Sequence, residues 1–350
     1  GKGRANTFGT VTKLLLQLEL YDAEGRVSRI CTDGSWAWSS DGPIRFADLK
    51  DGERVDARKS PTYSGKAKPV RFKANLTASD NVLVKEHEHF SPEELIVTPS
   101  GKKVLKFPQN LSGYLSFRLT ARAGWHIRIR LGEMMKDGEL SQKNIQMVHR
   151  GVPSTKQEIE YICREGVNEY TPKFFYGGFR YAEIETDIPF EKEDFTAVAV
   201  YSDLEETASF SCSHPLIERF WRMTLWSLKS NSTDFPSDCP TRERSGWTGD
   251  SQIFFNTAAY LTDYAAFARK HVRDIFDRQY KSGRLPQIAP RVNEDKFLWW
   301  LNGAVGWACA GVYIPLYLYE RYGDKRILEE HYEDILDYAD FMIRRAGKWG

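Results

Sequence analysis

The sequence predicts a multi-domain α+β protein, with β-sandwich modules first and helices after them. Two observations carry this. Apolar residues alternate with period two in short runs as far as about residue 206, and from Ser213 they recur at helical spacing. A chain of 350 residues also has the length for two or three domains with their own cores. The expected units are residues 1–70, 71–206 and 207–350.

In the first unit, Leu14, Leu16, Leu18 and Leu20 alternate with other residues and predict a strand with one apolar face. Asp22 to Gly25 reads as a turn and Val27 to Cys31 as the return strand. Trp36 and Trp38 repeat with period two, and Gly42-Pro43 and Asp51-Gly52 are turn signals. A loop rich in Lys, Ser, Pro and Gly, 59 to 69, leads to the second unit. Its clearest strand is Trp125 to Leu131, where Ile127, Ile129 and Leu131 share one face and His126 lies on the polar one. Tyr114 to Leu119, Tyr181 to Glu185 and Ala197 to Tyr201 read as further strands, with turns at Pro99-Ser100-Gly101 and Asp137-Gly138. In the third unit, Ser213 is a candidate cap with Pro215 in the first turn, and Leu216, Ile217, Phe220, Trp221, Leu225 and Leu228 form a stripe expected to be core. Helices are expected near Ser251–Tyr260, from Asp263 towards Gly283, at Gly311–Tyr322 and at Lys325–Arg345.

Composition excludes several classes of function. Net charge is +1, so nothing favours nucleic acid or an anionic membrane, and no apolar run approaches a membrane span. The five cysteines lie far apart without metal-ligand spacing and read as reduced, mostly buried thiols. His87 and His89 flank Glu88, but nothing nearby completes a metal set. Aromatic residues are plentiful, with 10 Trp, 17 Tyr and 20 Phe, which suits both aromatic cores and carbohydrate surfaces.

The chemistry concentrates in Asp238-Cys239-Pro240-Thr241-Arg242-Glu243-Arg244-Ser245-Gly246-Trp247-Thr248-Gly249-Asp250. Pro240, Gly246 and Gly249 break regular structure, leaving a loop crowded with charge around one large aromatic. Carboxylates and Arg hydrogen-bond hydroxyls, and an indole packs on the apolar face of a sugar ring. The other reading open at this point is a network of ion pairs among Asp238, Arg242, Glu243 and Asp250.

This stretch resembles the signature of the bacterial-type α-L-rhamnosidases, the inverting enzymes of glycoside hydrolase family 78. Phe175-Tyr176-Gly177-Gly178-Phe179-Arg180-Tyr181 is similar to that family's Y-x-G-F-R-Y strand, and Phe107-Pro108-Gln109-Asn110-Leu111-Ser112-Gly113 to its F-x-Q-N-x-x-G turn. Ser209 to Ser213, Asn231 to Pro236 and Gln252-Ile253-Phe254 extend the match in the family's order.

The resemblance implies a partial accessory β-sandwich over 1–70, a concanavalin-like β-sandwich over 71–206, and the first part of a six-hairpin (α/α)6 barrel over 207–350. It implies an exo-hydrolase that removes terminal L-rhamnose from a rhamnose-containing glycoside or polysaccharide, with no cofactor and no metal. Glu243 would be the general acid, Asp238, Asp250 and Arg242 would hold sugar hydroxyls, and Trp247 with Trp299, Trp300 and Trp307 would form the aromatic wall. An acid must stay protonated near neutral pH, which Asp238 and Asp250 would favour by repulsion and Arg242 and Arg244 would oppose. The family often has Asp where Cys309 stands, which puts part of the sugar contact set in doubt. The family's base is a Glu late in the barrel. It is expected beyond Gly350, so a chain ending there is expected to be inactive. A related (α/α) barrel glycosidase or lyase for another sugar, and a non-catalytic carbohydrate-binding protein, are the alternatives.

Overall fold

A computed structural model describes residues 10–71, 76–149, 152–290 and 296–347. Its β part is organised on a ten-stranded sheet. The strand order is Ile44–Asp48, Gly52–Asp56, Glu158–Ile162, His126–Gly132, Gly177–Glu185, Lys103–Ala121, Phe195–Ser202, Val84–Phe90. Glu94–Val97 and Gly166–Tyr170 also pair with Lys103–Ala121. That long strand serves two sets of neighbours. Residues 103–106 lie between Glu94–Val97 and residues 181–184, and residues 113–117 pair with 195–199 while 117–121 pair with 166–170. Alternation does the work the sequence suggests. Ile127, Ile129 and Leu131 are buried with Phe107, Phe117, Phe179 and Phe195 in one core, and His126 is exposed.

Ile44–Asp48 and Gly52–Asp56 precede the loop at 59–69, yet they belong to the same sheet as the strands that follow it. Glu158–Ile162 pairs with Gly52–Asp56 in parallel. Gly52 (φ +118) allows this, because a Cβ there would stand 1.8 Å from the Glu158 carbonyl oxygen. The hairpin Gln17–Tyr21 with Val27–Cys31 forms as expected, but its leucines do not make a covered face: Leu14, Leu18 and Leu20 are exposed. The thiols also differ from expectation. Only Cys163 is buried, and Cys31 is exposed.

Seven helices follow among the described residues: α1 (Pro215–Ser230), α2 (Thr248–Leu261), α3 (Ala265–Phe276), α4 (Lys296–Leu301), α5 (Ala310–Tyr322), α6 (Lys325–Glu330) and α7 (Tyr332–Ala346). The cap of α1 is His214 rather than Ser213, with Pro215 directly at the first helical position, and His214 makes no side-chain cap bond. Its stripe is core only towards the end. Leu225 and Leu228 are buried, whereas Leu216 and Phe220 are 68% and 69% exposed. The expected helix from Lys325 is broken at His331, whose ring stacks on Phe276 at 4.3 Å and splits it into α6 and α7. Helix α5 ends at Gly323 in the left-handed conformation (φ +67), as a helix C-terminus favours. It packs on α2 and α3 over Phe255, Phe267, Val272 and Ile314. No helix among the described residues is long and apolar enough to cross a membrane.

Sheet and helices meet at a buried cation. Lys229 on α1 donates to Glu88 at 2.7 Å and pairs with Glu206 at 2.7 Å, lying over the rings of Tyr201 and Trp226. Glu88 therefore serves this pair, and His87 stacks on Tyr201 at 3.8 Å. Among the described residues no group of three His, Cys, Asp or Glu could hold a metal ion.

Candidate active site

The charged loop is clamped between sheet and helices. On the sheet side, Lys50 Nζ donates to the carbonyls of Arg242 at 3.0 Å and Glu243 at 2.7 Å. Arg244, in the left-handed region (φ +49), donates to the Pro240 carbonyl at 2.9 Å and to the Leu49 carbonyl. Its guanidinium lies 4.5 Å over the Tyr176 ring, and burial pushes its pKa down. Gly178 makes room for the loop, since a Cβ there would meet Thr241 Cγ2 at 2.6 Å and Pro240 Cγ at 2.8 Å. The two strand motifs thus have a structural purpose. Gly177 and Gly178 pair with Gly113 and Ser112, and Arg180 binds the Phe107 carbonyl at 3.1 Å, building the platform on which residues 240–244 rest.

On the helical side, Ala289 N–H donates to Gly246 O at 2.9 Å, and Thr248 N–H to Gln287 O at 2.9 Å. Gly246 is required, because a Cβ would stand 1.8 Å from the Ala289 carbonyl oxygen. Gly249 does not break the helix as expected. It sits in the first turn of α2, where the Trp307 indole lies against it and a Cβ would be 2.8 Å away.

Asp238, Asp250 and Trp307 line a cavity of about 580 Å³ together with Ser227, Pro236 and Phe254. Neither Asp238 nor Asp250 has an ion-pair partner among the described residues. Burial raises the Asp238 carboxyl above its usual range, against the opposing Ser245 N–H bond at 2.9 Å. Burial also raises Asp250, and the negative charges of Asp238 and Glu243 add to it. A carboxylate in the first turn of α2 is otherwise well placed against the helix dipole. The ion-pair network that the sequence left open reduces to one contact within the loop, Arg242 Nε to Glu243 Oε1 at 3.4 Å.

Glu243 does not line that cavity. Its Oε2 accepts from the Trp247 indole N–H at 2.9 Å; Trp247, expected as a wall, does not line the cavity either and instead orients this carboxyl. Arg242 donates to the Asn144 carbonyl at 3.3 Å. Trp299 lies under the Arg284 guanidinium at 4.4 Å, Trp300 is exposed, and neither lines the cavity. Cys309 donates to Gln252 Oε1 at 3.3 Å and accepts from Gly306 N–H at 3.3 Å, so the thiol ties the turn that carries Trp307 to α2. A larger cleft, about 760 Å³, lies on the sheet near Trp125, but Arg54–Glu160 and Arg128–Glu185 pairs already match its charges.

Sequence reading missed three contributors. Lys50, on a turn, and Gln157, whose side chain accepts from Gly178 N–H at 3.1 Å and donates to the Gly178 carbonyl at 2.9 Å, act through contacts far apart in sequence that leave no local pattern. His271 on α3 is buried with Nε2 at 3.0 Å from Ser251 Oγ. Ser251 Oγ–H donates to the Thr248 carbonyl at 2.9 Å, so His271 must be the donor between them, and its Nδ1 has no partner among the described residues. Burial holds its pKa down at about 3.

Comparison with known proteins gives three adjacent matches. Residues 1–87 match the α-L-rhamnosidase N-terminal domain, residues 96–201 the bacterial α-L-rhamnosidase concanavalin-like domain, and residues 205–350 the bacterial α-L-rhamnosidase six-hairpin glycosidase domain. An α-L-rhamnosidase of Formosa agariphila is 31% identical over 340 residues, covering 92% of this chain and 35% of the relative. One of Alteromonas sp. is 29% identical, covering 95% and 37%. Among solved structures, the native enzyme of Aspergillus terreus superposes with TM-score 0.85 at 33% identity, covering 97% of this chain and 40% of that one. The Streptomyces avermitilis α-L-rhamnosidase complexed with L-rhamnose gives TM-score 0.83 at 29% identity, covering 93% and 32%. The chain thus spans little more than a third of the length of these curated relatives.

Proposed function

This chain belongs to the bacterial α-L-rhamnosidase family, and we propose that it carries the acid side of an inverting exo-glycosidase acting on terminal α-L-rhamnose. The observation that carries the reading is a pair of carboxylates without counter-cations, Asp238 and Asp250, in one cavity with an indole face. A cavity of about 580 Å³ is within the size range of small-molecule sites. Asp238 is half-buried and Asp250 opens to solvent, so both are only partly desolvated, and sugar hydroxyls would supply hydrogen-bond donors that no cation supplies.

In this reading Asp238 and Asp250 accept hydrogen bonds from rhamnose hydroxyls, and Trp307 packs on the ring. Glu243, aimed by the Trp247 indole and flanked by Arg242, protonates the departing glycosidic oxygen. Inversion needs a second carboxylate to activate water ~6.5–9.5 Å away, across the sugar. None of the acids on this loop is assigned that role. Trp247 serves as orienter of the acid, and Trp307 is the tryptophan that lines the cavity.

The test is a panel of aryl glycosides offered to the full-length protein, with the anomeric product followed by NMR. The α-L-rhamnoside should be cleaved in preference to other sugars, and β-L-rhamnose should form first. Preference for another sugar would support the related-glycosidase alternative, and α-L-rhamnose as first product would exclude inversion. Binding without turnover would favour the carbohydrate-binding alternative.

A further inference from the structure

The residue that reaches the proposed acid from furthest away in sequence is Lys50, on the turn between the edge strand Ile44–Asp48 and its neighbour Gly52–Asp56. We infer that Lys50 is a positioning residue for Glu243, fixing the acid's backbone from the neighbouring β region. The inference rests on the reading of Glu243 as general acid.

The turn that carries Lys50 is itself firmly built. Asp48 Oδ1 accepts from the Lys50 and Asp51 amides, both at 2.8 Å. The Lys50 carbonyl accepts from Gln157 N–H at 3.1 Å, and the Asp51 carbonyl from Glu158 N–H at 3.0 Å. Asp51 Oδ1 accepts from the amides of Thr155 and Lys156 at 3.1 and 3.2 Å. The lysine therefore projects from a turn bonded on both sides to the parallel strand pair.

Its ammonium spends two of its three protons on consecutive carbonyls, Arg242 O and Glu243 O. The other contacts of these groups are weaker. Thr155 Oγ1 reaches Arg242 O at 3.5 Å, Ser245 Oγ reaches Glu243 O at 3.4 Å, and the Glu243 amide donates to the Cys239 sulfur at 3.4 Å. Burial and the nearby Arg244 cation lower the Lys50 pKa, so this charge is held there at a cost. The next residue, Arg244, is in the left-handed region and is anchored to the same turn through the Leu49 carbonyl. With the carbonyls of Arg242 and Glu243 held by Lys50 and Arg244 held by Leu49, the Glu243 side chain keeps its χ angles, and the bond from Trp247 Nε1–H restrains its carboxyl. Without Lys50 the carboxyl would keep its indole bond but lose its fixed base, and small misplacements of a catalytic group cost up to about 10²-fold in rate.

The experiment compares Lys50→Met, Lys50→Arg and Glu243→Gln in the full-length protein. Two rhamnosides are used, one with a poor alkyl leaving group and one with a nitrophenol. Lys50→Met should lose about tenfold or more in kcat on the alkyl rhamnoside and several-fold less on the nitrophenyl one, with KM little changed. Lys50→Arg, which keeps charge and donors, should recover part of the loss. Added to Glu243→Gln, Lys50→Met should cause no further loss on the alkyl substrate. Hydrogen exchange of the 239–246 amides should quicken in Lys50→Met, and Lys50→Gln replaces it if the methionine variant does not fold. Equal loss on both substrates, a loss confined to KM, or unchanged exchange would overturn the role of Lys50 while Glu243→Gln keeps its selectivity. A Glu243→Gln variant without leaving-group selectivity would instead overturn the acid reading, and the inference with it.

Discussion

The loop 238–250 is held from two sides by different physics. On the sheet side, residues 240–244 are gripped by charge and polar contact: Lys50 on two carbonyls, Arg244 on Leu49 and Tyr176, Gly178 opening space for Pro240 and Thr241. On the helical side, residues 246–250 are gripped by backbone bonds to 287–289 and by close packing against Trp307. The proposed acid stands on the first wall; of the proposed sugar-holding carboxylates, Asp250 stands on the second and Asp238 is tied to Ser245 between them. Position of the acid and affinity for the sugar should therefore be separable by mutation.

Gly246→Ala should have the largest effect on the helical side. Its Cβ would meet a backbone carbonyl at 1.8 Å, and neither chain can move without losing the Ala289–Gly246 bond. Overpacking of this kind costs about 1–3 kcal/mol or more, so a clear fall in Tm with loss of sugar binding is expected. A variant with unchanged Tm would show that the helical wall yields. On the sheet wall, Gly178→Ala meets only side-chain atoms, of Thr241, Pro240 and Glu133, and no backbone. Its cost should be near the bottom of that range.

Asp238→Asn and Asp250→Asn sharpen the separation. Each charge-assisted hydrogen bond is worth about 1.5–3 kcal/mol, so calorimetric titration with L-rhamnose should show affinity lower by that amount. Both carboxyls are raised in the folded state, so their charged forms weaken the fold at neutral pH, and stability returns as pH falls through the folded pKa. Neither substitution should lower Tm at pH 7. A large fall in Tm with unchanged affinity would make these groups structural instead.

His271 carries the opposite sign and sits behind the helical wall. Its pKa is depressed from 6.5 to about 3, so its contribution is fully present above pH about 6.5 and is lost as pH falls toward about 3. Thermal melts between pH 7 and 4 should fall more steeply for the native protein than for His271→Gln. Parallel slopes would show that this histidine is not the acid-sensitive group.

The sequence made the fold class legible because period two and period 3.6 are local signals, as Ile127, Ile129 and Leu131 show. It made Asp238, Glu243 and Asp250 legible because they share one short stretch. It misjudged faces whose burial depends on distant partners: the leucines at 14–20 and the start of the α1 stripe are exposed. It read Gly249 as a breaker because propensity does not see the Trp307 ring that needs the space. Lys50 escaped for the same reason, since its role arises from a contact across 193 residues.

The most direct measurement is the leaving-group dependence of Glu243→Gln in the full-length protein. A general acid matters most when the leaving oxygen is a poor leaving group, and its contribution is typically 10²–10⁴-fold. Glu243→Gln should lose most activity on natural rhamnosides and much less on rhamnosides of acidic phenols. Equal loss on both series would contradict it and return Glu243 to a role in holding the loop.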